Sequence, residues 1–597
     1  MLKRVLLTIT IISASIIVLG FIAFTIYYPN HLNKPTVIDA SSTVNKTDEK
    51  TDILKDAVLL EKLSSDTSTG AEEKLLVLAS KTEAVGYYAK LELAQRYLNQ
   101  GKDPVPYYRQ ALDLYYTKDI QMKLALSLAN QGSYHEAADL LGKLLPDAEA
   151  LKQLLNLKLE TSIIGDILLK NKQWQTASGY LKTELDITSN SSKKTVLEIK
   201  YAVSLAQMGN YKEALPILER LQSGELMNND ISWWYARCLE ALNQIKKAKE
   251  VYSSLGDKGA YRLGILLENE GNLKEAAISF TKSSAADSIW RGAHLFDEVG
   301  VTSKALEAYI TLSKTLGVYQ DDAAYRAFVL IKRNSAKEDS ELLAIISEHP
   351  SWMIRLNKQP VMPTFTKLTY DKPAFLSRVE AYNQSSRGSM GKIEQSIGEK
   401  NANLQDMLAL GDWYLAKGDY SQSAKWGGKA LNKEPAWHAY ELAYPKPFNE
   451  QVQRSAKEYN VDPNLLWALI KQESSFNAVA VSGVGAIGLT QLMPSTAKDI
   501  ASRLHIIINE TDLLEPELNI RFGTYYLSSQ LTKFSGDMDK ALAAYNGGAG
   551  NVGKWSNSKI GVTKVDFPTA ISFLETREYI TKISNSYYIY EWLYGTK

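Results

Sequence analysis

Cysteine is almost missing from this chain of 597 residues: Cys238 is the single one, inside an apolar helical stretch, so neither a disulfide framework nor a cysteine metal cluster can be assembled. A buried small hydrophobe is the reading that remains for it. Histidine is scarce as well, and the six present are scattered without an i, i+4 pair or an HExxH pattern, which disfavours a metal hydrolase. Neither sign of charge prevails. With 68 Lys plus Arg against 67 Asp plus Glu the formal net charge is +1, which supplies no basic field for nucleic acid and no acidic tail. The length itself argues against a single core, since domains run to roughly 100–200 residues.

Long apolar runs are also rare, with one exception at the start. Val5 to Tyr28 (VLLTITIISASIIVLGFIAFTIYY) carries no charge and is long enough to cross a hydrocarbon core, which needs about 20 helical residues. Lys3 and Arg4 precede it, so residues 1–4 form a cytoplasmic head, 5–28 a single transmembrane anchor in the cytoplasmic membrane, and everything after it lies on the extracytoplasmic side. A cleaved signal peptide fits less well, because its apolar region spans about 7–15 residues and ends at a small-residue site, unlike Tyr27-Tyr28-Pro29-Asn30. Residues 29–51 are polar and aperiodic and read as a flexible linker.

Residues 52–440 repeat one grammar: an apolar-periodic helix, a turn at Gly101, Gly132, Gly209, Gly271, Gly300 or Gly418, then a second helix often opening with Glu-Ala or Ser-Ala. Lys172 and Asn243 take the turn position in weaker copies. The spacing of adjacent copies, about 28–40 residues, brackets the 34 of tetratricopeptide repeats, which the segment resembles. Helix pairs of this kind stack into an α-solenoid with an extended surface. That surface fits an envelope protein partner, a wall that guides a glycan strand, or a spacer. Its aromatics, among them Tyr108, Trp174, Trp233, Trp234 and Trp290, fall at helical spacing and suit a core better than a sugar platform.

Residues 441–597 bring chemistry. Asp462-Pro463 sets a helix start, with Asp as N-cap and Pro at the first helical position. Leu466, Leu469 and Ile470 then line one face, and Glu473 continues that apolar stripe into the last turn while Lys471 points toward water. An apolar setting and the negative end of the helix dipole both disfavour the carboxylate, so the pKa of Glu473 is expected to rise, as a general acid requires. An inert, solvated glutamate at a frayed helix end fits the same local pattern.

Three further elements follow. Ser482 to Gly488 is glycine-dense, which allows close backbone approach to a ligand, and leads into Gly488-Leu489-Thr490-Gln491 with Met493-Pro494 behind. Ala544-Tyr545-Asn546 precedes Gly547-Gly548, and Glu575-Thr576-Arg577-Glu578-Tyr579 comes last. Tyr545 offers a ring for a pyranose face and a hydroxyl for hydrogen bonding; Gln491 offers an amide; Asn546 can brace its loop. With the Glu473-Ser474 helix end, these four elements in this order resemble the catalytic domain of soluble-type lytic transglycosylases, whose fold is lysozyme-like.

The resemblance implies a mainly α chain ending in a lysozyme-like α domain with a small β element. It implies Glu473 as the sole catalytic acid and base, and Ser474, Ser482, Gly488, Gln491, Met493, Tyr545, Asn546 and Glu575 as substrate-binding residues. The substrate would be the glycan strand of peptidoglycan, cut between N-acetylmuramic acid and N-acetylglucosamine with a 1,6-anhydro end, for cell-wall remodelling and without metal or other cofactor. Asp537 and Asp539 lack the ligand spacing and central glycine of a calcium loop. Two rivals stand: a hydrolytic muramidase of goose-type lysozyme kind, in which Glu575 or Asp499 activates water, and a helical-repeat scaffold that binds peptidoglycan without cutting it.

Overall fold

The computed structural model describes residues 46–595, apart from 223–227, 336–337, 362, 364, 366 and 367. The apolar run 5–28 lies outside the described residues; within them, no helix is long and apolar enough to cross a membrane. The secondary structure is helical throughout, and two isolated antiparallel bridges, Val481 with Ile487 and Ile487 with Leu492, are the β content among the described residues. The first helix, Lys46–Ser64, begins inside the stretch expected to be a linker. Its opening residues Lys46, Glu49 and Lys50 are straight-chain helix formers, so the apolar-periodic helix behind them extends backward over a segment that has no periodicity of its own.

The helices group into two compact units. One holds 46–283 together with 371–406; the other holds 284–370 together with 407–595. In the first, helix pairs such as Lys118–Asn130 with Tyr134–Gly142, and Ser191–Gln207 with Tyr211–Leu221, follow one another as the repeat grammar predicts. The turns between them need a left-handed residue: Gly132 has φ 82°, and Lys172 and Asn243, which stand in for glycine, have φ 59° and 61°. Tyr108 and Cys238 are buried in this unit. Trp233 and Trp234 are half-buried and pack edge to face at 4.7 Å. The helices Ala374–Asn383 and Gly388–Lys400 return to the beginning of the unit, where Tyr382, Met390, Ile393 and Ile397 share a core with Leu60, Leu75 and Leu93. The buried Glu394 carboxylate fixes that return by accepting from the Ala84 amide at 2.8 Å and from Arg378 Nε at 2.7 Å.

The second unit is tied together by three buried arginines. Arg355 grips Asp539 through two bonds of 2.6 and 2.9 Å. Arg326 joins Asp297 and Asp566, and Arg577 joins Asp322. Each pair links a helix of 284–355 to the C-terminal segment or to a neighbouring helix, and removing one partner would strand a charge away from water. Asp539 is thereby committed to an ion pair, and Asp537 caps the Met538–Gly547 helix by accepting from the Lys540 amide at 3.2 Å.

Candidate active site

Glu473 sits on the Pro463–Ser474 helix. That helix starts as its sequence requires, with the Asp462 carboxylate accepting from the Asn464 amide at 2.7 Å and Pro463 at the first position. It is more deeply embedded than a one-sided stripe: Leu465, Leu466, Trp467, Ala468, Leu469 and Ile470 are all buried, the pattern of a helix surrounded by core. Lys471 does not reach into water as expected. Its ammonium lies over the Tyr444 ring at 4.6 Å, and burial pushes its pKa down to about 8. Ser475 and Phe476, at φ 48° and 67°, end the helix abruptly, with the Phe476 ring buried, so the last turn is pinned instead of frayed.

The Glu473 carboxyl is pushed up to about 8, chiefly by burial; the negative charge of Glu575 adds to the rise, and a hydrogen bond from Tyr579 opposes it. That bond is short, 2.5 Å from the Tyr579 hydroxyl to Glu473 Oε1. Tyr579 is buried, and both burial and the neighbouring Glu473 raise its own pKa well above the ordinary tyrosine value, so it remains a donor. Glu575 and Tyr579 are one turn apart on the Leu574–Tyr594 helix and therefore share the face turned to Glu473. Glu575 itself is exposed to solvent.

The Gly488–Gln491 turn is built on Asn519, a buried residue of the Pro516–Lys533 helix. The Asn519 amide oxygen accepts from the Thr490 amide and hydroxyl at 2.8 and 2.7 Å, and its nitrogen donates to the carbonyls of Ile487 and Leu513 at 3.0 and 2.8 Å. Gly488 is required there: φ is 80°, and a Cβ would come within 2.2 Å of Asn519 Nδ2 and 2.5 Å of the Leu513 carbonyl. Gln491 also has positive φ, 47°, and its amide nitrogen donates to the carbonyls of Gly488 at 2.8 Å and Ala480 at 3.2 Å, closing the loop on itself. Met493 is 40% exposed just behind, at the N-cap of the Pro494–Leu504 helix.

Tyr545 lies in the last turn of the Met538–Gly547 helix, with its hydroxyl donating to the Thr490 carbonyl at 2.9 Å and its ring 5.0 Å from that of Tyr526. The charge of Glu473 acts on it, so Tyr545, Thr490 and Glu473 belong to one locality. Asn546 accepts from the Thr576 hydroxyl at 2.6 Å and so ties this helix end to the start of the Leu574–Tyr594 helix. Two expected residues turn elsewhere in this structure. The Ser474 hydroxyl donates back to the Ile470 carbonyl at 3.2 Å, and the Ser482 hydroxyl accepts from the Ala486 amide at 2.9 Å within its own turn.

Three residues of this assembly were not among those expected to bind or react. Tyr579 carried a legible signal, since it stands one turn beyond Glu575 in the last of the four elements. Thr490 lies inside the Gly488-Leu489-Thr490-Gln491 element. Asn519 carried none, because its role depends on which loop the Pro516–Lys533 helix happens to face. Together the groups make a protonated carboxyl near neutral pH with a phenol that donates a hydrogen bond to it, beside a glycine-dense loop.

Comparison with known proteins follows the same elements. A family model described as the transglycosylase SLT domain matches residues 450–565, and a tetratricopeptide repeat model matches 205–260. The chain is similar to a putative soluble lytic murein transglycosylase of Haemophilus influenzae, 29% identical over 231 residues that make up 38% of each protein. It is 35% identical over 150 residues to the soluble lytic murein transglycosylase of Salmonella typhimurium, covering 25% of this chain and 23% of that one. The matches thus span well under half the length of these relatives. An X-ray structure of an inactive mutant of the lytic transglycosylase Slt from Pseudomonas aeruginosa covers 92% of this chain and 94% of its own, at 18% identity and a TM-score of 0.54, a likeness of fold. Residues 450–565, which hold Glu473, the Gly488–Gln491 turn and Tyr545, are a transglycosylase SLT domain, and the chain ahead of them carries tetratricopeptide-type repeats.

Proposed function

We propose that this chain is a membrane-anchored lytic transglycosylase that cuts peptidoglycan glycan strands on the extracytoplasmic side of the cytoplasmic membrane. One observation carries the reading: the Glu473 carboxyl is pushed up to about 8 by burial and is met by the Tyr579 hydroxyl at 2.5 Å. A carboxyl of that kind is protonated at neutral pH and can donate, and the phenol then stabilises the carboxylate left behind, so one residue serves as acid and afterwards as base.

The chemistry balances on that single group. Glu473 protonates the oxygen bridging N-acetylmuramic acid to N-acetylglucosamine, the bond from C1 to that oxygen breaks, and the N-acetyl group beside C1 supports the cation. The Glu473 carboxylate then takes the proton from the C6 hydroxyl as O6 closes on C1. The product is a 1,6-anhydro end, water is not consumed, and Glu473 is returned protonated. The relatives, which are lytic murein transglycosylases by name, support the substrate class. Anchoring rests on the apolar run 5–28 and the positive residues before it. The Gly488–Gln491 turn and Tyr545 border the reacting locality and are the groups we assign to holding the sugar, with Ser474, Ser482, Met493, Asn546 and Glu575 around them. On this reading the helical repeats serve an envelope partner or the passage of the strand.

A hydrolytic muramidase is the second reading, favoured by one observation: Glu575 is exposed to solvent and acts electrostatically on Glu473, and on this reading it would activate water. The reading of Glu473 is tested by Glu473→Gln in the full chain. Release of soluble fragments from purified peptidoglycan should fall by roughly 10²–10⁴-fold, the usual worth of general acid–base catalysis, while sedimentation with the sacculus is kept. Undiminished release by the variant would remove Glu473 from the mechanism.

A further inference from the structure

The residue that reaches Glu473 is held in place from a part of the chain well ahead of the SLT match. Successive residues of a helix are about 100° apart, so Arg577 and Tyr579 project from nearly opposite faces of the Leu574–Tyr594 helix. Tyr579 faces Glu473. Arg577 faces the helices of 286–335 and is 1% exposed. Its guanidinium donates through Nε to Asp322, in the first turn of the Gln320–Ser335 helix, and through Nη1 to the Ile571 carbonyl at 2.8 Å. The same group lies over the Trp290 ring at 4.2 Å and the Tyr319 ring at 5.5 Å, and those two rings stack on each other at 5.6 Å. Asp322 is 4% exposed.

A buried guanidinium held by a carboxylate on one side and two rings on the other has little freedom to slide or rotate. The helix that carries it is fixed in register, and so is the phenol two residues on. Thr576, the residue before Arg577, is bound to Asn546 at 2.6 Å and resists rotation from a third direction. From this geometry we infer that Asp322, with the Trp290 ring, is a positioning residue for the reaction: through Arg577 it sets where the Tyr579 hydroxyl meets Glu473. Misplacement of a catalytic contact by about 1 Å can cost up to 10²-fold in rate, which is the scale on which such a brace acts. The inference rests on Glu473 and Tyr579 having the roles proposed above.

A double-mutant cycle on the full chain tests it, with glycan cleavage as readout whatever the product. Asp322→Asn keeps the shape of the side chain and an acceptor oxygen but removes the charge. It should lower kcat about tenfold with KM unchanged in the parent, and change kcat by less than twofold when Tyr579 is already Phe, because the contact it positions is then gone. Equal losses in both backgrounds, or a rise in KM with kcat kept, would overturn the inference. Should Asp322→Asn fail to fold, Trp290→Leu takes its place in the same cycle, with a smaller fall in kcat expected in the parent and none in the Tyr579→Phe background. Failure of the functional reading looks different: the parent itself then releases no anhydro-ended fragments, or Tyr579→Phe leaves kcat untouched.

Discussion

Replacing Glu473 by Gln should make the protein more stable at alkaline pH and nearly neutral in effect at acid pH. The folded carboxyl is pushed up to about 8 from an ordinary value of 4.5, which is where it titrates once the chain unfolds. Below about pH 4.5 the group is protonated in both states and costs nothing. As pH rises through the interval up to about 8, the unfolded state loses its proton while the folded state keeps it, so stability falls by ~1.4 kcal/mol per pH unit. Across the interval the loss reaches ~5 kcal/mol, and it levels off above about pH 8, where the folded group ionises too. Glutamine has the same shape and no charge, so it escapes this loss. The assay is denaturant unfolding of parent and Glu473→Gln at pH 5, 6.5 and 8, followed by near-ultraviolet circular dichroism in the transition of the C-terminal unit. At pH 5 the two should agree within ~1 kcal/mol, and at pH 8 the variant should lead by ~3–5 kcal/mol. A difference independent of pH, or a variant weaker than the parent at pH 8, would refute the buried, protonated carboxyl.

Other expectations follow from the same geometry. Tyr579→Phe removes a bond that lowers the Glu473 pKa, so the limb of the kcat profile governed by Glu473 should move to higher pH, with kcat down about tenfold; an unshifted limb would show that the phenol does not contact the carboxyl in solution. Asn519→Ala leaves Thr490 and the Ile487 and Leu513 carbonyls without their partner, and should cost ~3–5 kcal/mol in chemical denaturation; a loss under ~1 kcal/mol would mean that Asn519 does not hold the loop. Gly488→Ala meets both a positive φ and three contacts closer than 3 Å, and should abolish glycan cleavage while lowering the unfolding midpoint; a variant as stable and active as the parent would contradict this loop conformation.

How far the sequence leads is clearest around Glu473. Its helix start, its place after an apolar run and the direction of its pKa were all legible, because capping and periodicity are local properties. The causes were only half legible. Burial follows from the apolar stripe, whereas Glu575, which adds to the rise, and Tyr579, which opposes it, are brought in from a helix about 100 residues further on. The same limit hid Asn519 and Asp322, whose roles depend on which surfaces meet in space and leave no trace in spacing. Lys471 was misjudged for a related reason: a lysine on the polar side of a helix reads as solvated unless one knows that Tyr444 lies across from it. The repeats fared best, since even the non-glycine turns at Lys172 and Asn243 adopt the left-handed conformation that their place in the grammar demanded.

The central claim is a single acid–base group that closes an anhydro ring instead of admitting water, and the masses of the products test it most directly. Purified peptidoglycan digested by the full-length protein should yield muropeptides lighter by one water than their hydrolytic counterparts, and Glu473→Gln should yield none. Fragments bearing only free reducing ends would contradict the account and point to Glu575 as the residue that delivers water.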